Sequence, residues 1–147
     1  MKSSFGKLLI LLLILLSYQT HAALSIDIIV NVENPAESIS ASEVTNYFMK
    51  KERKWPDGNA VRFFDYRDEN KSRAAFLKTY INKTSREIEL FWIGEKIYTG
   101  NIAPIQITSD SMMISMVSRF PGGIGYISKT APLSKKVKRL KVLQDNQ

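Results

Sequence analysis

Val61–Ile81 reads VRFFDYRDENKSRAAFLKTYI. An apolar, strand-like VRFFDY runs into a charged turn, RDENKSR, which opens onto a helix with apolar periodicity over about residues 72–81. The first N–H groups of a helix lack intrahelical partners and the helix dipole is positive there, so such a junction is a natural anion site. Asn70, Lys71, Ser72 and Arg73 add side-chain donors, with Arg67 just upstream. The same composition also suits a plain solvated strand-to-helix connection, and the residues alone favour that reading, because charged turns are common on protein surfaces.

On either side of this stretch the chain alternates. Ala23–Val32, ALSIDIIVNV, is short and rich in Ile and Val, as a strand buried on at least one face requires. Ser40 with Glu43 is a capping box, followed at helical spacing by Val44, Tyr47 and Phe48, which predicts a helix over about residues 41–50. Trp55-Pro56-Asp57-Gly58 reads as a turn with Trp55 as a packing anchor. Thr84 with Glu87 is a second capping box, and the helix it starts carries Ile88, Phe91 and Trp92 on one side as core, ending by Gly100. Pro104 and the residues up to Ile107 suggest an edge strand. Ser109 caps a helix over about 110–119, Pro121-Gly122-Gly123 stops it, and Ile124–Ile127 returns as a strand with a close backbone approach at Gly125. Lys135–Lys141, KKVKRLK, reads as a last strand with one wet basic face, or as a tail for anionic surfaces. Such alternation predicts an α/β domain with helices on a mixed, mostly parallel sheet.

The N-terminus reads as a secretory signal over residues 1–22. Lys2 and Lys7 precede an unbroken apolar run of nine residues, Leu8–Leu16, with a small residue, Ala22, at the expected cleavage point. A membrane span takes about 20 apolar residues, so the run is short for an anchor. The chain has no cysteine, hence no lipid-modified N-terminal Cys and no disulfide, and the expected product is a soluble periplasmic protein over residues 23–147. These 125 residues suffice for one domain. They carry 19 basic and 14 acidic side chains, a net charge of +5 that suits an anionic partner, while export argues against intracellular nucleic acid.

Catalytic and metal chemistry find little support. The only histidine, His21, lies in the signal segment, so the exported chain has neither imidazole nor thiol for a nucleophile–base relay or a typical transition-metal site. Asp65, Asp68 and Glu69 cluster, but neither a motif nor a second cluster supports a carboxylate-based site. The expectation is a binding protein without enzyme activity, cofactor or metal.

Taken in order, Ser40-Ala41-Ser42-Glu43-Val44 with Tyr47-Phe48, Lys54-Trp55-Pro56-Asp57-Gly58, Arg73-Ala74-Ala75-Phe76, Phe91-Trp92, Thr99-Gly100, Pro104, Ser109-Asp110 and Phe120-Pro121-Gly122-Gly123-Ile124-Gly125-Tyr126-Ile127 resemble the small phosphate ABC transporter substrate-binding-protein-like family. The resemblance covers essentially all of residues 23–147. It implies a three-layer helix-sheet-helix domain like one lobe of a type II periplasmic binding protein, with phosphate or a similar oxyanion as ligand and an ABC permease or other membrane protein as a possible partner. It also places the oxyanion turn on Glu69–Ser72, so the implied ligand set is Arg67, Asn70, Lys71, Ser72 and Arg73. Glu69 and Lys71 stand where the family's turn has glycines, and a single lobe leaves an anion partly wet, so the implied binding is weak. The alternative is a periplasmic interaction or assembly module that has lost the anion site and pairs with itself or a membrane partner.

Overall fold

The computed structural model describes residues 24–145; the signal segment lies outside them. Strands β1 (Ile26–Asn31), β3 (Arg62–Tyr66), β4 (Ile105–Ile107), β5 (Gly123–Ser128) and β6 (Val137–Arg139) form one sheet in the order β4-β3-β5-β1-β6. β3 pairs parallel with β4 and β5, whereas β1 pairs antiparallel with β5 and β6. Thus β1 alone runs against the other four, and the sheet is mixed with most strands in one direction.

Each helix begins where its cap residue says it should. Ser40 accepts from the Glu43 N–H and Glu43 reaches back to the Ser40 N–H, starting α1 (Ala41–Phe48). Asn70 caps α2 (Lys71–Phe76), which continues as one π-helical stretch, Leu77–Ile81, and ends at Asn82 in the left-handed conformation with φ 52°. Thr84 and Glu87 form the second capping box, at α3 (Ser85–Tyr98), and Ser109 caps α4 (Asp110–Ser118). Caps of this kind contribute about 1 kcal/mol each, and they fix where each chain segment turns.

Successive strand residues face opposite sides of a sheet, so Gly125 and Tyr126 show which helix covers which side. A Cβ at Gly125 would stand 2.3 Å from Met113 Sδ of α4. Tyr126 stacks on Phe76 of α2, centroids 4.2 Å apart. On the Tyr126 side Phe48 of α1 meets Phe63, Phe76 and Trp92 edge-on, which brings α1, α2 and α3 together over that face. The result is helix, sheet, helix.

Two stretches of the sequence meet at Gly122. The Trp55 indole N–H donates to the Gly122 carbonyl at 3.1 Å, and the Arg62 N–H donates to the same oxygen at 3.0 Å. The KWPDG turn thereby locks onto the PGGIGY segment and sets the entry of β3 beside β5. Trp55 is the buried packing anchor that its place before the turn suggested.

The C-terminal segment corrects one expectation. KKVKRLK is not one strand: β6 joins the main sheet, and after Leu140 the chain continues as β7 (Lys141–Leu143), pairing in parallel with β2 (Ser38–Ser40) in a separate two-stranded sheet. The reason is side-chain periodicity. Val137 and Leu140 are both buried, and a spacing of three cannot keep both on one face of a continuous strand, so the chain breaks between them. The basic residues are partly neutralised, Lys138 by Glu37 at 2.9 Å and Arg139 by Asp27 at 2.6 Å. β2, with only three residues, gave no sequence signal.

The contact at Gly122 yields a ranked prediction. A Cβ there would lie 1.9 Å from the Ala60 carbonyl oxygen, a backbone atom with little freedom, whereas at Gly125 the obstacle is the flexible end of Met113. Overpacking of a filled site costs about 1–3 kcal/mol. In denaturant unfolding, Gly122→Ala loses at least that much and Gly125→Ala distinctly less; equal losses would show that the Trp55–Gly122 junction is not a fixed point.

Candidate functional site

The β3–α2 junction is built by hydrogen bonds close in sequence. The Arg67 N–H donates to the Ile107 carbonyl at 3.1 Å, extending the β3–β4 ladder by one residue, and the Asn70 N–H donates to the Arg67 carbonyl at 3.1 Å, closing the turn. Asn70 Oδ1 then accepts from the Ser72 N–H at 2.8 Å, and the Asn70 carbonyl accepts from the Arg73 N–H at 3.0 Å. Two of the N–H groups at this helix start are therefore satisfied from within the turn.

The five candidate residues do not share one pocket. Arg67 and Asn70 line a groove of about 290 Å3 together with Glu69, Ile107 and Thr108, beyond the carboxyl ends of β3 and β4. Lys71 is exposed beside it, and Ser72 is buried. Arg73, only 4 % exposed, turns inward. Its Nε donates to Asp65 Oδ2 at 3.0 Å and its Nη1 donates to Asp68 Oδ1 at 2.6 Å and to Ser85 Oγ.

Asp65 sits beneath, 3 % exposed on β3. It accepts from the Tyr66 N–H at 2.8 Å and from the Tyr126 hydroxyl, in addition to Arg73. Burial pushes its carboxyl up from the usual carboxylate value, while the Tyr126 hydroxyl and the Arg73 guanidinium hold it down in part. Burial, then the charge of Asp65, pushes the Tyr126 phenol up strongly. On the opposite face Tyr66 donates to Asp110, and burial and that carboxylate raise its phenol too. The sequence showed Asp65 as one of an acidic cluster; the alternation of RFFDY, which puts it with Phe63 on a helix-covered face, was the signal that it is an internal partner. Nothing local in sequence connected Tyr126 or Ser85 to it.

Arg73 also lines a second, larger cleft of about 530 Å3, between α3 and the β3–β4 edge of the sheet. Ser85, Trp92 and Lys96 come to it from α3, and Ile102, Pro104 and Gln106 from the segment leading into and through β4. Among the described residues no group of three His, Cys, Asp or Glu side chains could hold a metal ion, and no helix is long and apolar enough to cross a membrane.

No protein-family model matches the chain, and no curated protein matches its sequence. Solved structures do share its fold. An ABC-type phosphate transport receptor from Vibrio cholerae superposes with a TM-score of 0.61 at 17 % identity over 80 % of this chain and 45 % of its own. A protein from Clostridium perfringens crystallised with bound phosphate, described as a phosphate ABC transporter substrate-binding protein, gives 0.63 at 19 % identity over 80 % of this chain and 44 % of its own. PstS from Borrelia burgdorferi gives 0.62 at 17 % over 80 % and 47 %. The chain thus spans a little under half the length of these receptors and has the fold of that portion of them.

Two measurements probe the buried network. Removing one member of a buried ion pair costs about 3–5 kcal/mol because the other is left uncompensated. Arg73→Met should lose that much stability in denaturant unfolding, while adding Asp65→Asn restores part of it; strictly additive losses would show that the two groups are not coupled. The tyrosines give a pH signature. Tyr47, pushed up to about 12 chiefly by burial, and Tyr66 and Tyr126, raised further, keep their protons in the folded state above the ordinary phenol value of 10.0. Above pH 10 the unfolded chain releases those protons first, so stability falls as pH rises toward the folded values. An ultraviolet absorbance titration should find these phenolates appearing together with loss of structure; their ionisation before unfolding would contradict the burial described.

Proposed function

We propose that residues 23–147 form an exported, periplasmic solute-binding-like domain that holds phosphate or a similar oxyanion weakly at the β3–α2 turn and acts by binding, without turnover. The observation that carries this reading is the position of the cationic turn. In open α/β sheets ligands lie outside the carboxyl ends of the strands, and Arg67 and Asn70 line a groove there, with exposed Lys71 alongside. The fold shared with phosphate receptors supports the choice of ligand.

The roles within Arg67, Asn70, Lys71, Ser72 and Arg73 follow from their placement. Arg67 offers a forked guanidinium and Lys71 a mobile ammonium to the anion. Asn70 closes the turn and lines the same groove. Ser72 and Arg73 are buried, and Arg73, tied to Asp65, holds the start of α2 in place under the groove. Glu69 lines the groove as well and repels a dianion. With the groove open to water, affinity falls in the millimolar range, about −4 kcal/mol. Such a domain would hand its anion to an ABC permease or another membrane partner of the uptake apparatus.

Calorimetric titration of the purified protein with phosphate and with sulfate tests the reading. Binding of either at millimolar concentration is expected, weakened about fivefold by Arg67→Ala or Lys71→Ala, the factor that corresponds to roughly 1 kcal/mol for an exposed charge. No heat and no melting shift with either anion would sink it.

A further inference from the structure

The cleft between α3 and the β3–β4 edge, about 530 Å3, exceeds the groove at the turn, about 290 Å3, and the oxyanion reading leaves it unused. From its chemistry we propose that it is a second binding site, for a small zwitterion with an apolar side chain, the class of a neutral α-amino acid.

Its charged lining favours a zwitterion over an anion. Arg73 and Lys96 face Asp65, Asp68 and Glu89, one negative charge in excess, which disfavours a phosphate dianion. Arg73 nevertheless has a free donor. Asp65 takes its Nε, and Asp68 and Ser85 take Nη1, so Nη2 has no hydrogen-bond partner among the described residues. A ligand carboxylate meets that nitrogen and the Ser85 hydroxyl. A ligand ammonium meets Asp68, whose side chain is 68 % exposed and whose second carboxylate oxygen is not used by Arg73, or Glu89.

The remaining wall is apolar. Ile88, Ile93, Ile102 and Pro104 flank the cleft, and Ile93 and Ile102 are about half exposed, at 49 % and 60 %. Water-exposed isoleucines rimming a concavity lose that exposure when a ligand's hydrocarbon side chain covers them, worth roughly 25 cal/mol per Å2 buried. A further observation comes from Trp92. It lines the cleft, is 7 % exposed, and its Nε1 is buried with no hydrogen-bond partner among the described residues. An unpaired buried donor costs about 1–3 kcal/mol, which an acceptor in the cleft would relieve once the indole turns toward it. About 530 Å3 lies within the range of roughly 300–1,000 Å3 typical of small-molecule sites and exceeds what one amino acid needs, so the ligand is held by one wall and stays partly wet.

The test is titration with L-leucine, followed by calorimetry and thermal melting, beside two analogues that each lack one charge: isocaproate, without the amine, and isoamylamine, without the carboxylate. Leucine should bind, each analogue at least about tenfold more weakly, the loss of roughly one 1.4 kcal/mol contact. Ile102→Asp, a change at an exposed position, should abolish leucine binding while phosphate titrates as before; Arg67→Ala should weaken phosphate and leave leucine unchanged. No response to leucine, a response matched by either analogue, or a response unaltered in Ile102→Asp would overturn the proposal. Because phosphate is titrated separately, failure here is distinct from failure at the β3–α2 turn.

Discussion

The buried pairing of Asp65 with Arg73 is the constraint to which the surrounding structure answers. Both groups are almost fully removed from water, and a lone charge in such a place costs several kcal/mol. The cost is met by geometry: Asp65 takes hydrogen bonds from the Tyr66 N–H, the Tyr126 hydroxyl and Arg73, and Arg73 reaches on to Asp68 and Ser85. One carboxylate and one guanidinium thereby join β3, β5, α2 and the first turn of α3. The aromatic contacts repeat the same connections in apolar form, through Phe76 on Tyr126 and Phe48 against Phe63. A bare ion pair would contribute little net stability. This one ties together the elements that supply its partners, since separating any of them leaves a buried charge short of a hydrogen bond.

That network also separates the two concavities. The groove beyond the strand ends is polar, open and lined by Arg67, Glu69 and Asn70, whereas the cleft under α3 has mixed charge and an apolar wall. Arg73 lies between them, with its backbone part of the turn beside the first and its side chain in the wall of the second. The α3 helix contributes to the second with one side of an amphipathic sequence: Ile88 and Trp92 are buried, Ile93 is half exposed at the cleft, and Leu90 and Ile97 remain exposed. A helix of that pattern covers one surface and leaves another uncovered.

Much of the architecture was legible because its causes are local. Capping boxes at Ser40–Glu43 and Thr84–Glu87 set helix starts to the residue. Helical spacing of Val44, Tyr47 and Phe48 marked a buried face, and Trp55 before Pro56 marked an anchor. The close approach at Gly125 could be read because a glycine inside a strand has few other uses. What escaped was non-local. Three-residue β2 and β7 stabilise each other only through pairing across a hundred residues, so neither has a pattern of its own. The direction of β1 against its neighbours likewise depends on β5 and β6, not on its sequence.

The candidate site divides in the same way. RDENKSR by itself determined that a charged turn would start a helix, since Asn70 is a cap residue and the apolar spacing follows it. The sequence also set the stock of donors, Arg67, Lys71 and Arg73, without saying which would face water. Only the tertiary structure decided that. Asp65 lies on a covered face, so desolvation draws Arg73 inward, away from the groove that Arg67 lines, and Arg73 brings Ser85 and the cleft under α3 with it. A buried charge must find its partner wherever the fold provides one, and sequence spacing alone does not carry that information.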